Sequence, residues 1–208
     1  MSELRPELAA IAGMIRPGTR VLDVGCGDGA LLHHLVQAKG VDGRGIEISQ
    51  QNVNACVARG LSVVQGDADT DLSEYPAGVF DAVILSQTIQ ATEKPLKVLT
   101  DMLRIGRRVA VSLPNFGHWR VRTSLLLHGR MPRTRTLDYN WYDTPNIHLC
   151  TLADFIDLTR KAGAVFTEAY TLDTHGRTTR IRPGAVTSGF FGPNLTAPGA
   201  IFLLKKKG

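Results

Sequence analysis

The sequence is poor in cysteine. Three occur in 208 residues (Cys26, Cys56 and Cys150), and none forms a C-x-x-C pair. That excludes a disulfide framework and suits a reducing compartment, so a cytoplasmic location is expected. Long apolar runs are missing as well. The longest stretch near the start, residues 8–15, is far too short to span a bilayer. Glu3, Arg5 and Glu7 precede it and a predicted strand follows at once, which argues against a signal peptide; no membrane partner is expected. No His/Cys/Asp/Glu cluster has metal-ligand spacing, so no metal is expected. Internal repeats and low-complexity segments are absent too. The charge excess is small, 24 Lys and Arg against 19 Asp and Glu. A net +5 permits anionic ligands but by itself is no argument for nucleic acid. What remains is ordinary globular composition, 43% hydrophobic and 21% charged. This length suits one domain, residues 1–208, with a sizeable core.

Hydrophobic periodicity divides the chain into alternating elements. Leu4, Leu8, Ile11 and Ile15 recur at helical spacing, and Arg16-Pro17-Gly18 ends that helix. Short buried strands are predicted at residues 20–24, 45–48, 61–64, 80–85 and 108–113. Helices are predicted between them at 30–38, 49–58 and 95–103. Thr151-Leu152-Ala153-Asp154 resembles a capping box with Asp in place of Glu, and predicts a helix to Ala162. Residues 165–172 and 200–204 read as two closing strands. Strands alternating with helices at this spacing imply a mostly parallel sheet covered on both faces. Two stretches break the rhythm. Residues 115–149 carry both tryptophans and many arginines. Residues 174–198 are rich in Gly and Pro and read as a long loop, of the kind that is usually functional or disordered.

Gly25, Gly27 and Gly29 sit where the first strand turns into a helix, in the run Asp23-Val24-Gly25-Cys26-Gly27-Asp28-Gly29. Without Cβ atoms they permit a tight turn and the approach of a ligand to the backbone. The spacing also satisfies G-x-G-x-x-A, so a nicotinamide or flavin cofactor enters consideration. Asp23 argues against it. A carboxylate two residues before the first glycine faces a pyrophosphate unfavourably. It suits the ammonium group of a methionine moiety, through a charge-assisted bond of roughly 1.5–3 kcal/mol. Glu47, on the second strand, can accept both ribose hydroxyls. Asp67, after the third, can accept from an adenine amino group. Three acids after three successive strands match the donors of S-adenosylmethionine (SAM). The expected cofactor-binding set is therefore Asp23, Gly25, Cys26, Gly27, Gly29, Glu47, Ile48, Asp67, Ala68 and Gln87, for SAM or S-adenosylhomocysteine. Gln87 has the alternative reading of a polar strand terminus.

These residues, with Phe80-Asp81-Ala82-Val83-Ile84-Leu85, resemble the successive motifs of class I SAM-dependent methyltransferases over residues 21–113. That resemblance implies a doubly wound, mostly parallel α/β sheet of seven strands, the last antiparallel. Ser112-Leu113-Pro114-Asn115-Phe116-Gly117-His118-Trp119-Arg120 and Trp141-Tyr142-Asp143-Thr144-Pro145-Asn146-Ile147-His148-Leu149-Cys150 narrow it further. With the front half, they resemble the methionine-biosynthesis MetW family over nearly the whole chain. The resemblance implies a partner, a homoserine O-acyltransferase chain, on the way to methionine; it implies no methyl acceptor. The nucleophile elbow G-x-S-x-G, which acyl transfer by an α/β-hydrolase-type enzyme needs, is absent here, so that chemistry belongs to the partner.

Within residues 115–149, Trp119, Tyr139, Trp141, Tyr142 and the arginines are residue types favoured at interface hot spots, and they also suit a pocket that closes over the methyl group. The two tryptophans have a second reading, as core beside the sheet. His118 and His148 read first as hydrogen-bonded structural residues and second as bases. The arginines are too scattered for a single-stranded nucleic-acid groove, and nucleic acid is not expected as a partner. Three functions follow in order: a SAM-binding accessory subunit of a homoserine acyltransferase, an active methyltransferase on an unidentified small molecule, and a nicotinamide-dependent oxidoreductase.

Overall fold

The computed structural model describes residues 4–134, 137–186 and 192–208. Among them, eight strands form one sheet: β1 (Arg20–Val24), β2 (Asp42–Glu47), β3 (Ser62–Gln65), β4 (Phe80–Ser86), β5 (Gly106–Pro114), β6 (Ala164–Leu172), β7 (Thr178–Ile181) and β8 (Gly199–Lys206). Their order is β3-β2-β1-β4-β5-β8-β6-β7. Strands β1 to β5 are parallel. Strand β8 enters antiparallel between β5 and β6, and β7 pairs antiparallel with β6 at the edge.

The alternation of side chains along each strand explains why both faces are covered. In β1, Val21 belongs to one apolar cluster while Leu22 and Val24 belong to the other. In β4, Ala82 and Ile84 join the first, Val83 and Leu85 the second. In β8, Ile201 and Leu203 face the first, Phe202 and Leu204 the second. Helices α1 (Pro6–Met14) and α2 (Ala30–Lys39) cover the first face. Helices α4 (Pro95–Ile105) and α6 (Leu152–Lys161) cover the other, where Phe155 and Phe166 stack around Phe202 with centroids 5.1 and 5.6 Å away. Helix α3 (Gln50–Ala58) follows β2, and Ser49 caps it by accepting from the Asn52 amide. The Thr151/Asp154 capping box of α6 is present with both reciprocal bonds.

Three expectations need correction. The predicted seven strands are eight, because residues 174–198 are not one loop. Asp173 accepts from the His175 and Arg177 amides at 2.8 and 2.9 Å, turning the chain so that Thr178–Ile181 pairs back on β6. A four-residue, mostly exposed edge strand between Gly176 and Pro183 carries no alternation to read. Helix α7 (Pro193–Thr196) lies in the same segment, and residues 187–191 of it fall outside the described residues. The second strand begins at Asp42 rather than residue 45. Gly43 and Gly45 conceal it, since glycine weakens a strand signal; a Cβ on Gly43 would lie 2.7 Å from Leu32, so α2 packs there at backbone distance. Finally, residues 115–149 contain a helix, α5 (Trp119–His128), which buries Val121 and so shows no apolar stripe in sequence.

Candidate functional site

Parallel strands change winding direction between β1 and β4, and ligands in open α/β sheets settle outside the carboxyl ends of the strands at such a point. A cleft of about 400 Å³ opens there. Its walls bring together six of the ten expected residues: Gly25, Glu47, Ile48, Asp67, Ala68 and Gln87. Asp23, Cys26, Gly27 and Gly29 are not among the wall residues. A second hollow, about 270 Å³, lies at the amino edge against Arg16, Asp81 and Arg107, away from the point where the winding changes.

The glycine loop is held rigidly behind the cleft. The Gly25 amide donates to the Ile46 carbonyl at 2.8 Å, and the Gly27 amide to Glu47 Oε2 at 2.8 Å. Glu47 Oε1 accepts from the Ser49 amide at 2.9 Å. One buried carboxylate thus ties the loop after β1 to the N-terminus of α3. Gly25 has φ +66°, and a Cβ on it would sit 2.9 Å from Thr88, so both backbone and space require glycine. Gly29 serves packing: a Cβ there would meet Leu61 at 2.5 Å and Cys56 Sγ at 2.8 Å. The Cys26 thiol points the same way, 4.0 Å from Cys56 Sγ, and burial raises its pKa. Cys26 therefore offers the cleft no side chain.

Asp23 is the last residue but one of β1, at 2% exposure. Among the described residues no hydrogen bond or ion pair reaches its carboxylate. Burial first, and the Glu47 charge second, push its pKa up from 3.8 to about 7. A carboxylate so placed is stabilised by a cation and destabilised without one. Asp67 Oδ1 accepts from the Asp69 amide at 2.8 Å.

Three contributors to the site are missing from the residues expected from the sequence. Asp69 is buried and accepts from the Glu93 and Lys94 amides at 2.8 and 2.7 Å, fixing the turn after β4. Asp71 accepts from the Asp67 amide at 2.9 Å; its hydrogen bonds from Thr70 and Asp67 lower its pKa. Gln90 accepts on its carbonyl from both Ile147 and His148 amides at 2.9 Å, while its Nε2 donates to the Gln87 carbonyl at 2.8 Å. It lashes the segment carrying Pro145 and Ile147 over the cleft. The acid-rich run from Asp67 to Asp71 was a visible hint for two of these; nothing in the pattern singles out Gln90. Gln87 itself has φ +54°, held by its amide donating to the Ser112 carbonyl at 2.9 Å.

The aromatics and histidines resolve as follows. Trp119 and Trp141 are exposed, not core. His118 is buried as the N-cap of α5, accepting from the Arg120 amide at 3.3 Å; burial and then the Arg120 charge lower its pKa, keeping it neutral. His148 is exposed and lies beside Gln90 and Asp154. Among the described residues no group of three or more His, Cys, Asp or Glu is placed to hold a metal ion, and no helix is long and apolar enough to cross a membrane.

Comparison with known proteins places this geometry. The chain is similar to the S-adenosylmethionine dependent methyltransferase of Mesorhizobium loti, with TM-score 0.69, 14% identity, and 97% and 98% of the two chains covered. It is also similar to the [4+2]-cyclase SpnF, with TM-score 0.66, 17% identity, and 97% and 81% covered. At these identities the likeness shows the fold alone, an α/β fold of the SAM-dependent methyltransferase type, and that fold carries more than one chemistry. A bifunctional methionine biosynthesis protein MetXA/MetW of Rhodopirellula baltica is 33% identical over 207 residues, 95% of this chain. This chain spans about a third of that relative's length, 32%. The family model described as methionine biosynthesis protein MetW matches residues 5–204, covering the glycine loop, the cleft and the aromatic segment together. On that match the chain belongs to the MetW family.

Proposed function

We propose that this chain is a SAM-binding, methyltransferase-fold subunit of methionine biosynthesis that works with a homoserine O-acyltransferase chain. The observation that carries the cofactor half is Asp23, a buried carboxylate with no cationic partner of its own, at the mouth of a glycine loop. The ammonium of SAM or S-adenosylhomocysteine supplies the missing charge. Glu47 keeps lone pairs free for a ribose diol after accepting two amides, and Asp67 keeps one oxygen free for an exocyclic amine. Gly25 and Gly27 let the ligand approach the backbone, with Ile48, Ala68 and Gln87 along the walls. When bound, SAM brings an electrophilic methyl group; the residues above bind and orient it. The partner half rests on the fused relative, on the absence of a nucleophile elbow in this sequence, and on the exposed aromatic segment.

The methyltransferase folds of the structural relatives keep a second reading open, methyl transfer to a small molecule. The cleft walls contain no histidine or lysine to act as base, and Asp69 is committed to the turn after β4, which leaves Glu47, Asp67 and Glu93 as the wall carboxylates for that role. Calorimetry with SAM, S-adenosylhomocysteine and NAD, followed by co-elution with the acyltransferase and an acylation assay, tests the proposal. Binding of SAM but not NAD, and faster acylation with this chain present, is expected. Tight NAD binding without a response to SAM overturns the cofactor assignment; S-adenosylhomocysteine formed together with a methylated product, when small-molecule acceptors are supplied without the partner, favours the second reading.

A further inference from the structure

Helix α5 is unusual in this molecule. Of its ten residues, Val121 is the one it buries. Leu126 and Leu127 stand 83% and 74% exposed, and Trp119 lies seven and eight residues before them on the same helical face. A helix this short is not stable on propensity alone and needs an apolar face covered. The chain after α5 extends the surface. Met131, Tyr139, Trp141 and Leu149 share the wall of one small hollow, and Trp141 is 76% exposed with Tyr142 packed edge-on against it at 5.7 Å. Of the fourteen large apolar side chains that are exposed among the described residues, ten fall between Trp119 and Leu149.

The charge there is mainly positive, five arginines against Asp138 and Asp143 within residues 119–149. No Asp or Glu occurs between Asp101 and Asp138. Arg120, Arg122, Arg130 and Arg133 are exposed, and none pairs with a carboxylate among the described residues. Arg133 donates to the neutral Asp138 carbonyl and Arg122 to the Gly117 carbonyl, so their charge stays uncompensated. A complementary surface is apolar at its centre and acidic at its rim.

We propose that the exposed apolar side chains of α5, Trp119, Leu126 and Leu127, and of the segment after it, Trp141, together with the arginines among them, are where the acyltransferase chain docks, through an apolar patch ringed by carboxylates. This rests on the partner reading above. The surface adjoins the cleft, because the Ile147 that lines it is anchored on Gln90 in the same segment.

The test measures the dissociation constant of the purified full-length chain with the acyltransferase at low and high salt. Leu126→Glu/Leu127→Glu is expected to weaken binding at least tenfold. Arg130→Glu/Arg133→Glu should remove most of the salt dependence. Val57→Glu, on the exposed side of α3, should leave binding unchanged. SAM calorimetry on each variant verifies that it is folded. If wild-type protein binds and the leucine variant binds equally well, this surface is wrong while the subunit reading stands. If wild-type protein fails to associate at tens of micromolar, the subunit reading falls and takes the surface with it. If the leucine variant instead abolishes self-association, or binding to anionic phospholipid vesicles, the face belongs to a second copy or a membrane, and the proposal is overturned.

Discussion

At Asp23 the demands of folding and of binding pull in opposite directions. The folded-state pKa, about 7, lies above the ordinary value of 3.8. The native chain therefore holds a proton that the unfolded chain has lost, and between these two values stability falls as pH rises. Asp23→Asn removes that penalty, so its stability advantage over wild type should grow by about 2–3 kcal/mol between pH 5 and 7 in denaturant titrations. The same variant should bind SAM at least tenfold more weakly, since a charge-assisted bond of roughly 1.5–3 kcal/mol is lost. Unchanged affinity in the folded variant would show that Asp23 does not meet the ammonium. In wild-type protein, binding the ammonium requires the ionised carboxylate. The SAM dissociation constant should then drop about fivefold from pH 6 to pH 7, below the range in which the ligand's own α-ammonium titrates, with a proton released on binding; a flat profile places the charged partner elsewhere. Gly25→Ala tests the loop separately. With φ +66° and Thr88 at 2.9 Å, the added methyl should weaken binding and lower the melting temperature together.

Among the elements, the tie between cleft and surface segment is Gln90, whose one carbonyl holds two amides. Gln90→Pro would break the backbone itself, so the informative change is Gln90→Leu, which keeps that carbonyl and removes the Nε2 bond to Gln87. Exchange of the Ile147 and His148 amides should speed up as the turn loosens, and SAM should slow it again; amides insensitive to both would sever the cleft from this segment. Such ties were not legible beforehand, and the reason is physical. Strands β1, β4 and β5 are mostly buried runs with apolar centres, so local pattern and tertiary need agree. Asp23, Glu47 and Asp67 stand at strand ends, where spacing alone gives their common edge. Helix α5 was invisible because its apolar residues face outward, and β7 because its pairing is made by Asp173 and not by alternation. Asp69 and Gln90 act through backbone amides 24 to 58 positions away, contacts that no local window contains.

For the whole molecule, one edge of the sheet carries both the cleft and the start of the aromatic segment that follows β5. A ligand that orders the segment and a partner that docks on it are then thermodynamically linked, each strengthening the other by the same factor. A SAM titration of the complex's dissociation constant and of the acylation rate, with Asp23→Ala as control, should show a several-fold change; if neither moves while SAM saturates the site, the chain is a scaffold without a sensor. Strand β8 has a separate consequence, for synthesis on the ribosome. All five parallel strands around the cleft are complete by Pro114, but the outer side of β5 waits for Gly199–Lys206 before anything can bond to it. Some ninety residues at 5–20 per second leave that row of amides and carbonyls bare for about 5–20 s, with β6 and β7 unable to attach. The nascent chain is most prone to edge-to-edge association in that interval. A chaperone that shields β5, or a ligand that firms the finished half, acts there to most effect.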